Sequence, residues 1–194
     1  MHRNVGWLAI VGPVYALVSI WISISLSPWF TWRGNAISDL GVHDIAPIFN
    51  FALMACGTMC AIFALGAILR FKSMIGKTGM FIIFMASISL TGIGVFNEDW
   101  NPHHFFFSVA FFALLLVASL VLGPFFLLRR KTLHLGIGGI LVLVIGLFGW
   151  AYQVAVGWGT GVAIPEAMTF VPGGIWLAML GVWVVRKDSS REKL

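Results

Sequence analysis

Charged residues are scarce in this chain: only 10% of its 194 residues are Asp, Glu, Lys or Arg, whereas 60% are hydrophobic. Soluble globular domains carry roughly a quarter charged residues, so this composition excludes an ordinary soluble protein. Cysteine is also rare, and Cys56 and Cys60 stand four residues apart, a spacing that suits neither a CxxC redox pair nor a helical disulfide. The cysteines therefore give no indication of the redox compartment.

Tandem repeats, low-complexity tracts and interdomain linkers are absent as well, so residues 1–194 are expected to form a single transmembrane domain. The hydrophobic residues fall into six runs, each long enough to cross a bilayer as a helix. We therefore predict an all-α, polytopic membrane bundle of six transmembrane helices. The spans are expected at residues 5–26, 47–71, 77–96, 102–128, 135–158 and 165–185.

Basic residues are almost missing from one side of this predicted bundle. Of the 12 Lys and Arg residues, only Arg33 falls on that side. The others are Arg3, Arg70, Lys72, Lys77, Arg129, Arg130, Lys131, Arg186, Lys187, Arg191 and Lys193. By the positive-inside rule this asymmetry predicts a multi-pass protein of the cell membrane with cytoplasmic N- and C-termini. The partner expected for these basic loops is membrane lipid, not nucleic acid.

Acidic residues and histidines show the opposite bias and collect at the predicted outer face. They are Asp39, His43, Asp44, Glu98, Asp99, His103, His104 and Glu166. Because polar groups that face lipid are penalised, these side chains should turn towards one another or towards trapped water. We predict an outward-facing polar pocket that binds a lipid head group or small amphiphile. Its expected lining is Ser38, Asp39, Glu98, His103, His104 and Glu166.

The stretch Asn97–His104, which reads NEDWNPHH, concentrates two carboxylates and two imidazoles in eight residues. Adjacent residues on a helix diverge by roughly 100°, so only one imidazole would face the bundle. The residue types also suit a divalent metal such as zinc, with His103, His104, Glu98 and Asp39 as ligands, although no HExxH-type spacing defines the set. A bound ion would activate water, so a metal-dependent hydrolase acting at the outer leaflet is an alternative function.

Further interpretations stay open. Carboxylates beside Pro47, Pro102 and Pro165 can be explained as caps and as compensation of helix dipoles, with no ligand involved. A non-catalytic scaffold is a second alternative. A small-molecule transporter is a third, although the sequence has no Asp, Glu, Lys or Arg near mid-membrane. The residues alone leave open whether the chain is an enzyme and whether it forms a homo-oligomer.

Three stretches resemble an uncharacterised family of prokaryotic multi-helix membrane proteins known as a domain of unknown function: NAISDLG, the run at residues 48–71 and GIGVFNEDWNPHHFFFSVAFF. They are similar, more remotely, to the DRAM-like membrane proteins. The family pattern of Ile-Ser-Asp-Leu-Gly after the first helix corresponds to Ile37–Gly41, and the His that opens helix four corresponds to His103 or His104. Asn97 stands where the family usually has proline. The resemblance, over about residues 30–130, implies the fold and the place of the site but no chemistry.

Overall fold

Six long helices make up most of the chain in the computed structural model, which describes residues 5–189. They are α1 (Val5–Ser25), α2 (Ala46–Ile68), α3 (Met74–Val95), α4 (His103–Leu127), α5 (Leu133–Ala155) and α6 (Ala163–Ser189). Each contains a stretch long and apolar enough to cross a membrane, and no strand occurs within residues 5–189. The predicted all-α bundle of six membrane-spanning helices is confirmed.

The ends of several helices differ by three or four residues from the predicted spans. Helix α5 ends at Ala155, three residues early, because Gly157 takes a φ of 85° in the left-handed region. The backbone N–H groups of Val156 and Gly157 both donate to the Tyr152 carbonyl, at 2.8 and 2.9 Å, and thereby close the helix. Helix α3 starts at Met74, three residues before the predicted Lys77. Apolar periodicity does not register such local turns.

The helices pack in a ring, each against the helices before and after it, and α6 packs back onto α1. A further contact joins α4 to α6. Helices α1, α2, α3, α4 and α6 therefore surround a central cavity of about 90 Å³, whereas α5 contributes nothing to its lining. Most of the lining is apolar, including Leu53, Ile93, Phe111, Leu115 and Leu177.

Glycines set the distance between several neighbouring helices. A Cβ on Gly57 of α2 would lie 2.6 Å from both the Ser87 carbonyl oxygen and the Thr91 nitrogen of α3. Gly6 of α1 and Gly181 of α6 face each other in the same way. Small residues of this kind allow membrane helices to approach backbone to backbone, where dispersion contacts and not the hydrophobic effect hold them together.

The two ends of the bundle differ in chemistry. One end, here called the acidic end, carries the loops at residues 26–45, 96–102 and 156–162 and most of the carboxylates. The other, the basic end, carries the loops at residues 69–73 and 128–132 and the last turns of α6. Arg3, Arg191 and Lys193, which contribute to the predicted orientation, lie outside the described residues. The cytoplasmic placement of the basic end stays a prediction.

Candidate functional site

The loop at residues 26–45 lies across the acidic end and is fixed to the start of α6. The N–H of Gly161 donates to the Arg33 carbonyl, and that of Ala163 donates to the Asn35 carbonyl, both at 2.9 Å. A Cβ on Gly161 would collide with the Asn35 backbone, so the close approach requires glycine. Both bonds join residues that are about 130 positions apart in the chain. The loop between α1 and α2 is therefore held in place by the residues just before and at the start of α6.

Within this loop, Ile37–Gly41 forms a single 3₁₀ turn that holds the next polar groups. The Asp39 carboxylate accepts hydrogen bonds from the Ala36 N–H, at 3.1 Å, and from the Asn35 side chain, at 2.7 Å. Asp39 thus caps the turn in which it lies. It lines neither the central cavity nor the cleft described below, in contrast to the predicted pocket lining.

Glu166 connects the 3₁₀ turn to α6. One carboxylate oxygen accepts a hydrogen bond of 2.6 Å from the Ile37 N–H, and only 7% of the residue is exposed. The first turn of α6 brings Glu166 to this position, where it lines both the central cavity and the cleft. The buried Glu166 carboxylate thus satisfies the buried Ile37 N–H and lies between the central cavity and the cleft.

Glu98 and His104 form a second group of polar contacts, beside the one made by Glu166 and the 3₁₀ turn. The Ser38 hydroxyl donates to Glu98 Oε1 at 2.6 Å, and His104 Nε2 lies 3.9 Å from the same oxygen. His104 Nδ1 lies 2.8 Å from the Phe96 carbonyl oxygen, which can only accept, so Nδ1 carries the proton. In the neutral form of the imidazole, Nε2 is then the acceptor for the Ser108 hydroxyl, at 3.2 Å. His104 is 5% exposed, and its ring is held on both sides.

The pKa of the half-buried Glu98 carboxyl is raised above its ordinary value. Burial, which penalises the charged form, is the largest cause, and the nearby Asp39 carboxylate adds to it. The hydrogen bond from Ser38 and the proximity of His104 act in the opposite direction without cancelling the rise. The Glu98 carboxyl therefore keeps its proton to a higher pH than an exposed glutamate does.

This shift predicts a pH dependence of stability. The pKa of Glu98 is higher in the folded chain than in the unfolded chain, so protonation of its carboxyl favours the folded state. This contribution to stability is fully present below the ordinary glutamate pKa and is lost as the pH rises through the folded value. We expect the melting temperature of wild type to fall relative to that of Glu98→Gln as the pH is raised from about 4 to neutral and above. Thermal unfolding in detergent across this range measures it. A difference that is independent of pH would contradict the assignment.

A cleft of about 590 Å³ opens beside these residues, between α4 and the adjoining parts of α5 and α6. Its polar lining consists of Ser38, Glu98, Asn101, His104, Ser108 and Glu166. Its apolar lining consists of Ala36, Phe105, Val109, Phe112, Ala113, Leu116, Trp150 and Val162. Ser38, Ser108, Phe112 and Glu166 also line the central cavity, so the cleft and the cavity share a wall. Polar groups from two loops and two helices therefore meet at one end of an apolar surface.

The structure separates some of the residues that were predicted to share a site. His103 is exposed and stacks on Phe96, with ring centroids 5.5 Å apart, so His104 is the imidazole that faces the cleft. His43 is also exposed and packs on Trp29. Within residues 5–189, no group of three His, Cys, Asp or Glu side chains could hold a metal ion. The predicted ligand set of His103, His104, Glu98 and Asp39 is therefore not assembled.

Ser108 also lines the cleft, although it is not among the six residues that the sequence predicts for the lining. It lies four residues after His104 on α4, a spacing that places both on one face of the helix. This spacing was a usable signal. The spacing alone is weak evidence, because serine in a membrane helix commonly bonds its own backbone, as Ser119 does with the Leu115 carbonyl.

A family model described as "Protein of unknown function (DUF998)" matches residues 10–183. The match extends the resemblance seen over residues 30–130 to all six helices. No curated protein and no solved structure matches the chain. The more remote similarity to DRAM-like proteins stays a prediction.

Proposed function

We propose that this chain, which belongs to the DUF998 family, is a membrane protein that binds an amphiphile in the cleft at its acidic end. The polar head of a lipid or of a small amphipathic molecule would lie against Glu98, His104, Ser108 and Glu166. The apolar part would lie along α4. The distribution of basic residues supports an outward-facing acidic end in a cell membrane, with both termini cytoplasmic.

One observation carries this proposal: the cleft is polar at one end and apolar along the rest. Phe105 and Val109 line it and are 62% and 50% exposed on the lipid side of α4, so an acyl chain could enter from the bilayer. A volume of about 590 Å³ is within the range of roughly 300–1,000 Å³ that is typical of small-molecule sites. The cleft belongs to a single chain, so a homo-oligomer is not required.

The hydrogen-bond groups in the cleft suit a head group that can both donate and accept. The oxygens of Glu98 and Glu166 are acceptors, and so is the Ser108 hydroxyl oxygen, whose proton is donated to His104 Nε2, whereas Asn101 offers an amide group. A hydroxyl-bearing or amine-bearing head group matches this set better than a phosphate alone, because no Lys or Arg lines the cleft. The lining supports binding without requiring a reaction.

The other predicted functions have less support. A metal-dependent hydrolase would need three or four converging ligands, which the described residues do not bring together. A transporter would need an ionisable residue near mid-membrane, whereas Glu166 lies in the first turn of α6. A scaffold would use the exposed apolar surface and would leave the cleft without a role.

Val109→Trp tests the proposal because it fills the apolar part of the cleft. We expect cross-linking by a lysophospholipid with a diazirine on its acyl chain to fall about tenfold, since overpacking opposes the bound chain by at least about 1.4 kcal/mol. Peptide mapping of the cross-linked wild-type chain should identify the part of α4 from Phe105 to Leu116. Mass spectrometry of lipids that co-purify with each variant gives a second measurement.

Val117→Trp is the matched control. Val117 is also on α4 and is 44% exposed, but it lines neither the cleft nor the central cavity. Its variant should cross-link as wild type does. Equal cross-linking by both tryptophan variants, each with a melting temperature near that of wild type, would mean that no amphiphile occupies the cleft, and the scaffold interpretation would then be preferred.

A further inference from the structure

A second pocket, of about 680 Å³, opens at the basic end of the bundle, far from the cleft. It lies where the loops at residues 69–73 and 128–132 meet the last turns of α6. Six basic side chains line it: Lys72, Arg129, Arg130, Lys131, Arg186 and Lys187. None of the lining residues is acidic. Positive charge is therefore gathered around one concave surface instead of being spread over the loops.

The floor of this basic pocket is made of packed aromatic rings. Phe71, Phe125 and Phe126 are buried, and Trp183 packs on both Phe71 and Phe126, with ring centroids 6.0 and 5.4 Å apart. Arg129 is fixed on this floor because its guanidinium stacks on Phe125 at 4.0 Å and donates to the Phe125 carbonyl at 2.8 Å. A cation held in this way loses little side-chain entropy when it binds an anion.

Polar groups of the backbone and side chains add to the positive potential. Ser73 lines the pocket and is the N-cap residue of α3, but its side chain makes no capping bond. The 22-residue helix α3 therefore begins at the wall of the pocket, with the positive end of its dipole and a hydroxyl group beside the cations. Guanidinium, ammonium and hydroxyl groups beside a helix start are the kinds of donor that bind phosphate groups in proteins.

We propose that the basic pocket is a specific binding site for a phosphate group, separate from the amphiphile cleft. The aromatic floor and the position of the pocket at the end of the membrane-spanning helices favour the phosphate of an anionic phospholipid, whose acyl chains would remain in the bilayer. A free phosphate or a soluble phosphate ester offers the same chemistry. The two sources differ in whether the acyl chains contribute to binding.

Binding of phosphatidylglycerol and phosphatidylcholine to the detergent-solubilised chain, followed by native mass spectrometry, tests the site. Lys131→Gln should weaken phosphatidylglycerol binding about fivefold, because each basic residue near an anionic lipid contributes about that factor. Arg130→Gln should have an effect of similar size. Phosphatidylcholine binding should be unchanged, because its head group carries no net charge.

Lys77→Gln is the matched control, since Lys77 lies near the start of α3 at the same end but does not line the pocket. Melting temperatures in phosphatidylcholine micelles establish that each variant is folded. Sodium chloride gives a test without any substitution, because it should weaken phosphatidylglycerol binding to the wild-type chain and leave phosphatidylcholine binding unaffected.

Inorganic phosphate separates the two sources. Protection of the wild-type chain against heat by millimolar phosphate, lost in Lys131→Gln and kept in Lys77→Gln, would assign a soluble phosphate compound. Phosphatidylglycerol binding without any effect of phosphate would assign the lipid. The proposal is overturned if phosphate gives no protection that depends on Lys131 and, in addition, phosphatidylglycerol binding is equal in Lys131→Gln and Lys77→Gln or is no stronger than phosphatidylcholine binding in wild type. The amphiphile cleft is unaffected by either result.

Discussion

Replacement of Glu166 by alanine is expected to lower the free energy of unfolding by about 1–3 kcal/mol, the cost of a buried polar group that loses its partner. The Ile37 N–H donates to this carboxylate at 2.6 Å, and both residues are buried. Alanine offers no acceptor, and water has little access to the donor. Unfolding by SDS in mixed micelles measures the change.

Two further variants show whether the loss of stability comes from the missing hydrogen bond or from the loss of a negative charge at this end of the bundle. Glu166→Gln keeps a carbonyl oxygen for the Ile37 N–H and should recover a large part of the loss. Asp99→Ala removes an exposed carboxylate at the same end and should change stability by less than about 0.5 kcal/mol. If Glu166→Ala were no less stable than Asp99→Ala, the loop at residues 26–45 would not depend on its bond to α6.

Gly57→Ala is expected to lower the free energy of unfolding by about 1–3 kcal/mol or more, because it overpacks the contact between α2 and α3. The added Cβ would lie 2.6 Å from the Ser87 carbonyl oxygen and the Thr91 nitrogen. Both atoms belong to the backbone of α3, so relief requires the two helices to move apart. The same SDS titration measures the change.

Gly174→Ala on α6 is the control for this substitution. Its Cβ would meet only side-chain atoms, the nearest being Cβ of Pro13 at 3.4 Å, an ordinary van der Waals distance. Alanine favours the helix over glycine by roughly 0.5–1 kcal/mol, so this variant should be as stable as wild type or more stable. Equal losses in both variants would show that helix flexibility, and not the distance between α2 and α3, is the quantity that changed.

The fold could be predicted from the sequence because the bilayer imposes one strong rule. A segment that crosses hydrocarbon must satisfy its own backbone hydrogen bonds, so an apolar run of about 20 residues becomes a helix. Helix ends followed less well. The turn after α1 is capped by Asp39, which bonds the Ala36 N–H, a local contact that apolar periodicity does not register. At the start of α4, Pro102 precedes the helix, and the Asn101 side chain donates to the Glu98 carbonyl instead of capping it.

The meeting of polar groups at the acidic end could be predicted only in outline. Ser38, Glu98, His104 and Glu166 line one cleft in the structure, as their common placement at helix ends indicated. Which of two adjacent histidines faces inward depends on where α4 begins, and a shift of one residue rotates the helix by about 100°. Whether this cleft is a binding site stays a prediction, as does the phosphate site at the basic end.

The metal hypothesis rested on residue types without geometry. Four potential ligands at one predicted end of the bundle can point in different directions, and here they do. Asp39 is occupied by the Asn35 amide and the Ala36 N–H, whereas His103 stacks on the exposed side of Phe96. Composition gives the inventory of donors, but only the turn and the helix phase determine whether donors converge.

The bond between Ile37 and Glu166 has a consequence for biosynthesis. Its two partners are separated by 129 positions in the chain. Helix α1 packs on both α2 and α6, so one of its two packing faces also remains uncovered until α6 is made. Because the ribosome makes the helices in order, the Ile37 N–H has no acceptor from Glu166 until the last helix enters the bilayer. Assembly is completed by the segment made last, so a chain truncated before α6 should be held by the quality-control machinery of the membrane.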